Sequence, residues 1–402
     1  MKHLILITDL HMWSMAANKG GLAFITTVEN YLNAGWSLSI ISTGGGIPDE
    51  IKSRSKCVVE KHYHFADSLM QSNLKLFRFW GKFLRVFLCN KFYYRECKKR
   101  IKQDGTKDTI LYAYEVAGVL VAKMLSRKYG VPVVTRFQGT VISNVENTFL
   151  NRLRHYPHFE ALSTSADLII MTNDGTQGLS TLKRLKNNSK INFWMNGVSI
   201  PELISSDKRE ELRERLGFKG KYVFLTVSRL VAWKKVERAI LAFSAARDSI
   251  PNASLHIIGD GASRKYLEDY SSKLGVSNCV CFHGAIEQKQ VFDYMVACDV
   301  FLSLYDLSNV GNPLLEAMSS GKTIITLDNG DTSMFIKNME TGILISPNHL
   351  EEIPEHMVNL YNNKQLSMNL GNSARKFAEN NFWSWEQRMS EELKAVEGLL
   401  EQ

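Results

Sequence analysis

The stretch "LSNVGNPLLEAMSSGKTIIT", residues 307–326, predicts a loop, a helix and a buried strand in immediate succession. Gly311 permits a close approach of the backbone, and Pro313 suits the first helical turn, where its missing N–H costs nothing. Open α/β sheets bind ligands at the carboxyl ends of their strands, so this helix N-terminus predicts an anion site. The alternative is a plain loop–helix joint in which Glu316 stabilises the helix dipole.

Short β-branched runs alternate with helical patterns along the whole chain. The predicted strands are residues 3–8, 37–42, 109–112, 131–135, 167–172, 222–228, 254–259, 280–282, 300–304 and 323–327. The predicted helices cover residues 21–34, 115–129 and 147–163, and others begin near residues 236, 263, 288 and 313. Strands separated by helices in this way indicate βαβ units and parallel sheets.

The length of 402 residues exceeds what one hydrophobic core usually supports. A proline-containing loop followed by a charged helix, within residues 196–218, marks the join between two units. We therefore expect an α/β protein with two Rossmann-like, doubly wound domains facing across a cleft. The expected boundaries are 1–200, 201–380 and a final helical segment 381–402 that is broken near residues 383–385 and crosses back to the first domain.

The composition is that of a soluble globular protein, with 45% hydrophobic and 22% charged residues. The N-terminal apolar run is short and is interrupted by Asp9, which favours a first strand over a signal peptide. No segment reaches the roughly 18 apolar residues of a membrane span. Six cysteines without a CxxC pair indicate reduced thiols and a cytoplasmic protein.

The basic residues are concentrated in the first half of the chain. Residues 1–203 contain 27 Lys and Arg against 15 Asp and Glu, whereas residues 204–402 contain 22 against 26. This asymmetry predicts that the first half meets an anionic surface or acceptor.

A second motif, "TVSRLVAWKKVERAI", places Arg229 and Lys234 between a predicted strand and a helix. An arginine and a lysine at a strand end are suited to hold a diphosphate, through bidentate and point-charge contacts respectively. The alternative is a solvated basic turn. Together with the loop before Glu316, the two cations favour an anionic ligand at this edge of the second sheet.

These motifs resemble those of the retaining glycosyltransferases of family 4. "SRLVAWKK" is similar to the R-L-x-x-x-K signature of that family, and "NPLLEAMSSGKTIIT" to its P-x-x-E-A-M-A-x-G-x-P-V-V signature. "ASLHIIGDGASRKYLEDY", "VCFHGAIEQKQVFDYMVACDVFLSLY", "MNGV" and "NMETGILI" resemble further segments of the C-terminal domain. The N-terminal half matches mainly in "NKGGLAFITTVENYLNAGWSLSIIS".

The resemblance implies a GT-B fold, a nucleotide-diphosphate sugar as donor and retention of configuration. The sequence has no DxD motif, which disfavours a metal-dependent transferase of the other major fold, and no further cofactor is expected. It implies that Arg229 and Lys234 hold the diphosphate and stabilise the charge of the leaving group. The other donor-binding positions that it implies are Gly20, Gly21, Gly284, Ala285, Ile286, Gly311, Asn312, Pro313, Leu314, Leu315 and Glu316. Glu316 would bind the ribose, residues 284–286 the base, and the amides of residues 312–315 the phosphates or the sugar.

The sequence departs from the family pattern at three positions. Ser308 stands where a glutamate usually reaches toward the donor sugar, and Asp306 is a possible substitute. Gln138 stands where a histidine usually follows a strand of the N-terminal domain, and Met334 replaces another glutamate. Gln138 cannot act as a base but can hydrogen-bond a sugar or the acceptor. These changes leave diphosphate binding intact and affect sugar identity or activity.

Residues 74–102 form a basic and aromatic segment with ten Lys and Arg against one Glu. Lys75, Arg78, Lys82 and Arg85 recur at helical spacing and predict a cationic stripe on an otherwise apolar helix. Such a helix suits the headgroup region of an anionic membrane. The alternative is a domain helix with one buried face, and the chain has no motif that supports nucleic-acid binding.

The interpretation is a cytoplasmic glycosyltransferase, peripheral on the inner face of the cell membrane, that transfers a sugar to a glycan or lipid-linked glycan in bacterial cell-surface polysaccharide assembly. His11, Trp13 and Asn18 follow the first strand and are candidates for acceptor contact or for loop packing. One alternative is a GT-B-fold sugar-nucleotide epimerase, which needs acid–base groups that Ser308 and Gln138 do not supply. The other is a degenerate member that binds nucleotide or glycan without turnover.

Overall fold

The computed structural model describes residues 1–10 and 22–401, which form two compact units. The N-terminal unit comprises residues 1–173, 177–195 and 387–402, and the C-terminal unit comprises residues 174–176 and 196–386. The C-terminal segment is therefore counted with the N-terminal unit, and the three residues 174–176 with the C-terminal unit. The candidate positions His11, Trp13, Asn18, Gly20 and Gly21 lie outside the described residues.

The N-terminal unit contains a seven-stranded parallel sheet in the order β3-β2-β1-β4-β5-β6-β7. Its strands are β1 (His3–Thr8), β2 (Ser37–Ser42), β3 (Cys57–Glu60), β4 (Thr109–Tyr114), β5 (Val133–Phe137), β6 (Leu168–Thr172) and β7 (Lys190–Trp194). The central strands are apolar and buried on both faces, as parallel sheets covered by helices require. The strand order reverses between β1 and β4, which defines the ligand-binding edge of such a sheet.

The helices of this unit pack on both faces of the sheet. They are α1 (Leu22–Asn33), α2 (Asp49–Arg54), α3 (His64–Met70), α4 (Lys75–Asp104), α5 (Val119–Tyr129), α6 (Phe149–Arg154), α7 (His158–Ser163) and α8 (Gly178–Arg184). The final helix, α16 (Trp385–Glu397), belongs to this unit from Gln387 onward.

Helix α16 is attached to the N-terminal sheet by a buried charge network. The Glu392 carboxylate accepts hydrogen bonds from Arg136 at 2.9 Å, from Arg388 at 3.0 Å and from the Tyr112 hydroxyl at 2.6 Å. Glu392, Arg136 and Arg388 are fully buried. The two guanidinium groups keep the pKa of Glu392 below its usual value in spite of its burial. Val396 and Leu399 add apolar contacts with the same face of the sheet.

The C-terminal unit contains a six-stranded parallel sheet in the order β10-β9-β8-β11-β12-β13. Its strands are β8 (Tyr222–Val227), β9 (Ala253–Ile258), β10 (Val280–Gly284), β11 (Val300–Ser303), β12 (Thr323–Leu327) and β13 (Ile343–Ile345). Its helices are α9 (Ser206–Arg215), α10 (Glu237–Ala246), α11 (Arg264–Lys273), α12 (Gln288–Ala297), α13 (Asn312–Ser319), α14 (Ile353–Asn362) and α15 (Lys364–Asn381).

Every strand predicted from the sequence is present, with ends that differ by at most two residues. The α/β class and the doubly wound sheets are confirmed. The short strands β3 and β7 were missed because both are only partly buried edge strands and lack a continuous apolar run. Strand β13 was expected only through the family resemblance of "NMETGILI". The prediction of a single helix over residues 147–163 is wrong. This segment contains two helices, α6 and α7, with Pro157 between them, because proline cannot donate the hydrogen bond of a helix interior.

The predicted break near residues 383–385 is confirmed, because α15 ends at Asn381 and α16 begins at Trp385. No helix within the described residues combines the length and apolar composition that a membrane span requires.

Candidate functional site

The candidate site lies at the point where the strand order of the C-terminal sheet reverses. Strands β8 and β11 are neighbours in the sheet although two other strands lie between them in the sequence. The loop after β8 contains Arg229 and Lys234, and the loop after β11 leads to α13. Both loops leave the carboxyl ends of parallel strands, which is where doubly wound sheets bind ligands. The fold thus brings together the two motifs identified in the sequence.

Lys234 is a buried cation that lies against two aromatic rings. Its side chain is 8% exposed, and its ammonium donates a hydrogen bond to the Ser308 carbonyl at 3.1 Å. The nitrogen lies 4.5 Å from the centre of the Trp233 ring and 4.2 Å from that of Tyr305, so both rings stabilise the charge. Burial nevertheless lowers the pKa of Lys234 to about 7. An anionic ligand would restore the charged form.

Arg229 supplies a second positive charge beside Lys234. Its guanidinium lies 5.5 Å from the centre of the Trp233 ring and is exposed to solvent. Its charge lowers the pKa of Lys234, because two like charges disfavour each other. The pair therefore forms a local excess of positive charge, with one deeply buried and one accessible cation. This arrangement suits a group with several negative oxygens, such as a diphosphate.

The loop between β11 and α13 is held in shape by Asn309. The side-chain Oδ1 of Asn309 accepts a hydrogen bond from Tyr305 N at 3.1 Å, and its side-chain Nδ2 donates one to the Tyr305 carbonyl at 2.9 Å. Ser308, next to it, has a positive φ of 58°. The Asp306 carboxylate forms an ion pair with Arg238 at 2.7 Å. Asp306 thus already has a cationic partner in this loop.

The first turn of α13 offers fewer N–H groups than the sequence suggested. The N–H groups of Leu314 and Leu315 donate to the Gly311 carbonyl at 3.0 and 3.3 Å, and Pro313 has none. Of the backbone N–H groups predicted to bind the phosphates or the sugar, those of residues 312–315, this turn leaves that of Asn312 unused. The side chain of Asn312 accepts a hydrogen bond from Asn196 at 3.1 Å.

Glu316 is a buried carboxyl group one turn into α13. It is 7% exposed, and its Oε1 accepts a hydrogen bond from the Gln288 side chain at 2.7 Å. Burial raises the pKa of Glu316 to about 7, and the bond from Gln288 counteracts part of this rise. A carboxyl group whose pKa is about 7 is partly ionised at neutral pH. Its two oxygens can accept further hydrogen bonds, which suits the two hydroxyls of a ribose.

Residues 284–286 connect β10 to α12. Gly284 ends the strand with a positive φ of 70°, and its carbonyl accepts a hydrogen bond from Gly259 N at 2.8 Å. Ala285 is exposed and Ile286 is partly exposed. The following helix begins with Gln288, the partner of Glu316, so this loop and the Glu316 carboxyl group belong to one neighbourhood.

Gln138 lies at the carboxyl end of β5 in the N-terminal unit. Its side-chain amide donates to the Tyr114 hydroxyl at 2.8 Å, and its backbone N–H donates to the Glu115 carboxylate at 2.8 Å. The side chain is thus oriented by its neighbours. The expectation that it serves the reaction by hydrogen-bonding a sugar or the acceptor stays a prediction.

Sequence reasoning missed two residues whose chemistry bears on the site. Asp174 follows β6, far from the quoted motifs in the sequence, and is 9% exposed. Gln288 lies within "GAIEQKQ" but carries no charge that would have singled it out. The polar run "TNDGT" after an apolar strand was the available signal for Asp174, since polar residues at strand ends commonly bind ligands.

The amino-acid sequence is similar to those of known glycosyltransferases. Residues 208–377 match the family described as Glycosyl transferases group 1, and they lie within the C-terminal unit. The chain is 24% identical over 297 residues to an uncharacterized glycosyltransferase, MJ1069, of Methanocaldococcus jannaschii, covering 73% of this chain and 74% of the relative. It is 26% identical over 189 residues to a GDP-mannose-dependent alpha-(1-6)-phosphatidylinositol monomannoside mannosyltransferase of Mycolicibacterium smegmatis, covering 45% and 49% of the two chains.

A solved structure shares the fold over almost the entire length. The crystal structure of Anabaena HepE in complex with UDP aligns with a TM-score of 0.71 at 18% identity, covering 98% of this chain and 100% of HepE. The fold and the site thus define a glycosyltransferase of the GT-B architecture. Within that class, the match to group 1 of the glycosyl transferases covers residues 208–377 of the C-terminal unit.

Proposed function

We propose that this glycosyltransferase moves a sugar from a nucleotide-diphosphate sugar to a glycan or lipid-linked glycan acceptor, with retention and without a metal ion. The observation that carries the proposal is the contact between the loop of Arg229 and Lys234 and the loop that precedes the helix of Glu316, through the Lys234–Ser308 hydrogen bond. In the proposed roles, the C-terminal unit binds the donor and the N-terminal unit binds the acceptor. The likeness to a mannosyltransferase that acts on a phosphatidylinositol monomannoside supports a lipid-linked acceptor.

In the proposed mechanism, Lys234 and Arg229 hold the diphosphate and stabilise the negative charge that grows on it as the sugar departs. Glu316 binds the ribose hydroxyls and is oriented by Gln288. The backbone of residues 284–286 contacts the base, and Asn312 contributes an amide to the phosphates or the sugar. Gln138, which belongs to the N-terminal unit, is proposed to hydrogen-bond a sugar or the acceptor.

Retention is proposed to occur by a front-face reaction, in which the departing phosphate helps to deprotonate the acceptor. A double displacement requires a carboxylate free to attack the anomeric carbon. The described site contains Asp174, Asp306 and Glu316, which already interact with Thr176, Arg238 and Gln288 respectively. Because each of these carboxylates already has a partner, the arrangement favours the front-face route over a double displacement.

The deciding experiment incubates the purified protein with UDP-, GDP- and ADP-sugars, with and without glycan and lipid-linked acceptors, and measures nucleotide release. We expect release that depends on an acceptor and that persists in EDTA, with NMR showing an unchanged anomeric configuration. Conversion of the donor sugar without an acceptor would identify an epimerase instead. Tight nucleotide binding without turnover would identify a degenerate member.

A place at the inner face of the cell membrane is supported by the exposed beginning of α4. Its C-terminal part is packed in the domain, with Phe92, Tyr93 and Cys97 buried. By contrast, residues 74–80 are exposed, and they combine apolar and aromatic side chains with Lys75 and Arg78. This combination suits the headgroup region of an anionic bilayer.

Two members of the predicted cationic stripe have partners within the N-terminal unit. Lys82 donates to the Arg154 carbonyl at 2.8 Å, and Arg85 forms an ion pair with Asp67 at 2.8 Å. The proposed membrane surface is therefore narrower than residues 74–102. It consists of residues 74–80 with Phe87, which is 64% exposed.

Vesicle co-sedimentation tests this surface. We expect binding to vesicles that contain anionic lipid, weaker binding to neutral ones, and loss of binding when Leu76 and Trp80 are both replaced by serine. Met368→Ser is the matched control, because Met368 is 61% exposed on α15, away from this segment in sequence and in the other unit. Equal absence of binding to both vesicle types would remove the membrane proposal and leave the transferase proposal intact.

A further inference from the structure

Asp174 is a buried carboxylate placed among the donor-site loops by a short segment of three residues. Its Oδ1 accepts hydrogen bonds from the Thr176 hydroxyl at 2.6 Å and from Thr176 N at 3.2 Å. Its backbone carbonyl accepts a bond from Val310 N at 3.1 Å, in the loop that leads to α13. Asp174 is thereby fixed against the same loop that carries Ser308.

The neighbouring loop holds this segment from the other side. Asp331 N donates to the Gly175 carbonyl at 3.2 Å. A Cβ at Gly330 would lie only 1.8 Å from that carbonyl oxygen, and Gly330 has a positive φ of 58°, so glycine is required there. Residues 174–176 are therefore held between two loops of the C-terminal sheet, although they follow a strand of the N-terminal sheet.

The loop that contains Ser308 and Val310 joins Asp174 to Lys234. The Ser308 carbonyl accepts the hydrogen bond of the Lys234 ammonium at 3.1 Å, and Val310, two residues further along, donates its N–H to the Asp174 carbonyl at 3.1 Å. A buried cation and a buried carboxylate are thus held by the same short loop.

We propose that Asp174 is a positioning residue: held by the same loop that binds the Lys234 ammonium, its carboxylate favours the charged form of Lys234, which receives the donor diphosphate. The inference rests on the proposed function for the identity of the ligand. The coupling itself is a property of the protein without ligand and can be measured in that state.

The electrostatic surroundings agree with this role. Burial lowers the pKa of Lys234, Arg229 lowers it further, and Asp174 raises it. Burial raises the pKa of Asp174 to about 6, while Thr176, Ser308 and Lys234 lower it. In the loops after β8 and β11, Asp306 is paired with Arg238 and Lys235 with Glu237, and the loop after β12 carries Asp328 and Asp331. Among the carboxylates of the described residues, Asp174 is the one whose charge raises the pKa of Lys234.

The direct test measures the pH at which Lys234 loses its proton. The protein is treated with trace acetic anhydride across pH 5–9, and acetylation of Lys234 is followed by mass spectrometry relative to the exposed Lys265. We expect Asp174→Asn to lower the midpoint by about one pH unit, since a nearby opposite charge shifts a pKa by about that much or more. Asp174→Glu should keep the midpoint close to that of the unmodified chain.

The matched control is Asp269→Asn, which removes an exposed carboxylate paired with Lys265 at the surface of the same unit. It should leave the midpoint of Lys234 unchanged when referenced to Lys219. If Asp174→Asn does not fold by circular dichroism, Thr176→Val replaces it, because loss of that hydroxyl raises the pKa of Asp174 and lowers the midpoint in the same direction. An unchanged midpoint in the folded variants would overturn the inference, whether or not the protein turns over a nucleotide sugar.

Kinetics provide the second readout. We expect Asp174→Asn to reduce kcat/KM about twofold at pH 6 and about tenfold at pH 8, because a Lys234 pKa lowered by one unit leaves less of it charged at high pH. A purely structural defect would reduce kcat/KM equally at both values. Failure of the transferase proposal would appear as no turnover in any variant, with the acetylation shift still present.

Discussion

Two buried charge clusters, one in each unit, differ in how completely the protein satisfies them. In the N-terminal unit, Glu392 contacts Arg136 and Arg388 at 2.9 and 3.0 Å, and all three are fully buried. In the C-terminal unit, Lys234 has a carbonyl acceptor and two aromatic rings, and Asp174 acts on it through its charge. Burial is common to both clusters, but only the first has charged groups in direct contact.

The pKa values show the difference. The pKa of Glu392 stays below its usual value because two guanidinium groups outweigh the cost of burial. The pKa of Lys234 falls to about 7 because Asp174 does not outweigh burial and Arg229 together. A cluster in which opposite charges pair with each other stabilises the fold. A cluster with an excess of positive charge is suited to bind an anionic ligand. The predictions below test this distinction.

The largest effect is expected at Lys234. Replacement by methionine should lower kcat about 1,000-fold, because it removes the buried cation that stabilises the leaving diphosphate. The melting temperature should not fall, since an apolar side chain replaces a charge that burial disfavours. Steady-state kinetics and thermal unfolding measure the two effects. Lys235→Met is the matched control, and normal turnover in Lys234→Met would exclude Lys234 from the reaction.

The opposite pattern is expected at Glu392. Replacement by alanine leaves two buried guanidinium groups without their shared carboxylate and should lower the free energy of unfolding by about 3–5 kcal/mol. Chemical denaturation of the purified protein measures this change. Glu391→Ala is the matched control, because Glu391 is exposed on the same helix and pairs only with Lys394 at the surface in the described structure. A loss below about 1 kcal/mol at Glu392 would place that cluster with ordinary surface pairs.

A smaller effect is expected at Glu316. Replacement by glutamine keeps the size of the side chain but removes the charged acceptor, so donor affinity should fall about 10- to 100-fold. Calorimetric binding of the nucleotide sugar measures it, with the exposed Glu340→Gln as control. A 2′,3′-dideoxyribose donor, which lacks both hydroxyls, should bind the glutamine variant and the unmodified protein with similar affinity. If the glutamine variant still bound that donor about 10- to 100-fold more weakly than the unmodified protein, the result would argue against contact between Glu316 and the ribose.

The distinction between the two clusters was only partly accessible from the sequence. Arg229, Lys234 and Glu316 were identified because charged residues at strand ends and helix starts form recognisable local patterns. Glu392 was not, because Arg136 is 256 residues away in the sequence and only the fold brings it to the Arg388–Glu392 pair of α16. The strands were predicted well since buried parallel strands are continuous apolar runs, a signal that the half-buried edges β3 and β7 lack.

Asp174 shows the same limit within the site. Local patterns cannot indicate that a segment following β6 belongs with the loops after β11 and β12, because this depends on tertiary hydrogen bonds such as Val310 N to the Asp174 carbonyl. The left-handed conformation of Ser308 was equally hidden, since serine carries no preference for it. The sequence therefore predicted the cations of the site and not the group that tunes one of them.

The smallest expected effect is a change in the sign of proton exchange on donor binding. At pH 8, Lys234 with a pKa of about 7 is mostly neutral, and a bound diphosphate raises this pKa, so up to about 0.9 proton is taken up. At pH 6, Lys234 is already charged, whereas Glu316 with a pKa of about 7 is mostly protonated. Ribose hydroxyls that donate to its carboxylate favour loss of that proton, so protons are released.

Isothermal titration calorimetry in two buffers with different ionisation enthalpies measures this exchange. A nucleotide sugar is the suitable probe, because its diphosphate is esterified at both ends and does not itself titrate between pH 6 and 8. Glu316→Gln should abolish the release at pH 6 and preserve the uptake at pH 8, while Lys234→Met should do the reverse. The same sign at both pH values would mean that only one of these groups meets the donor, and the variant that removes the exchange would identify it.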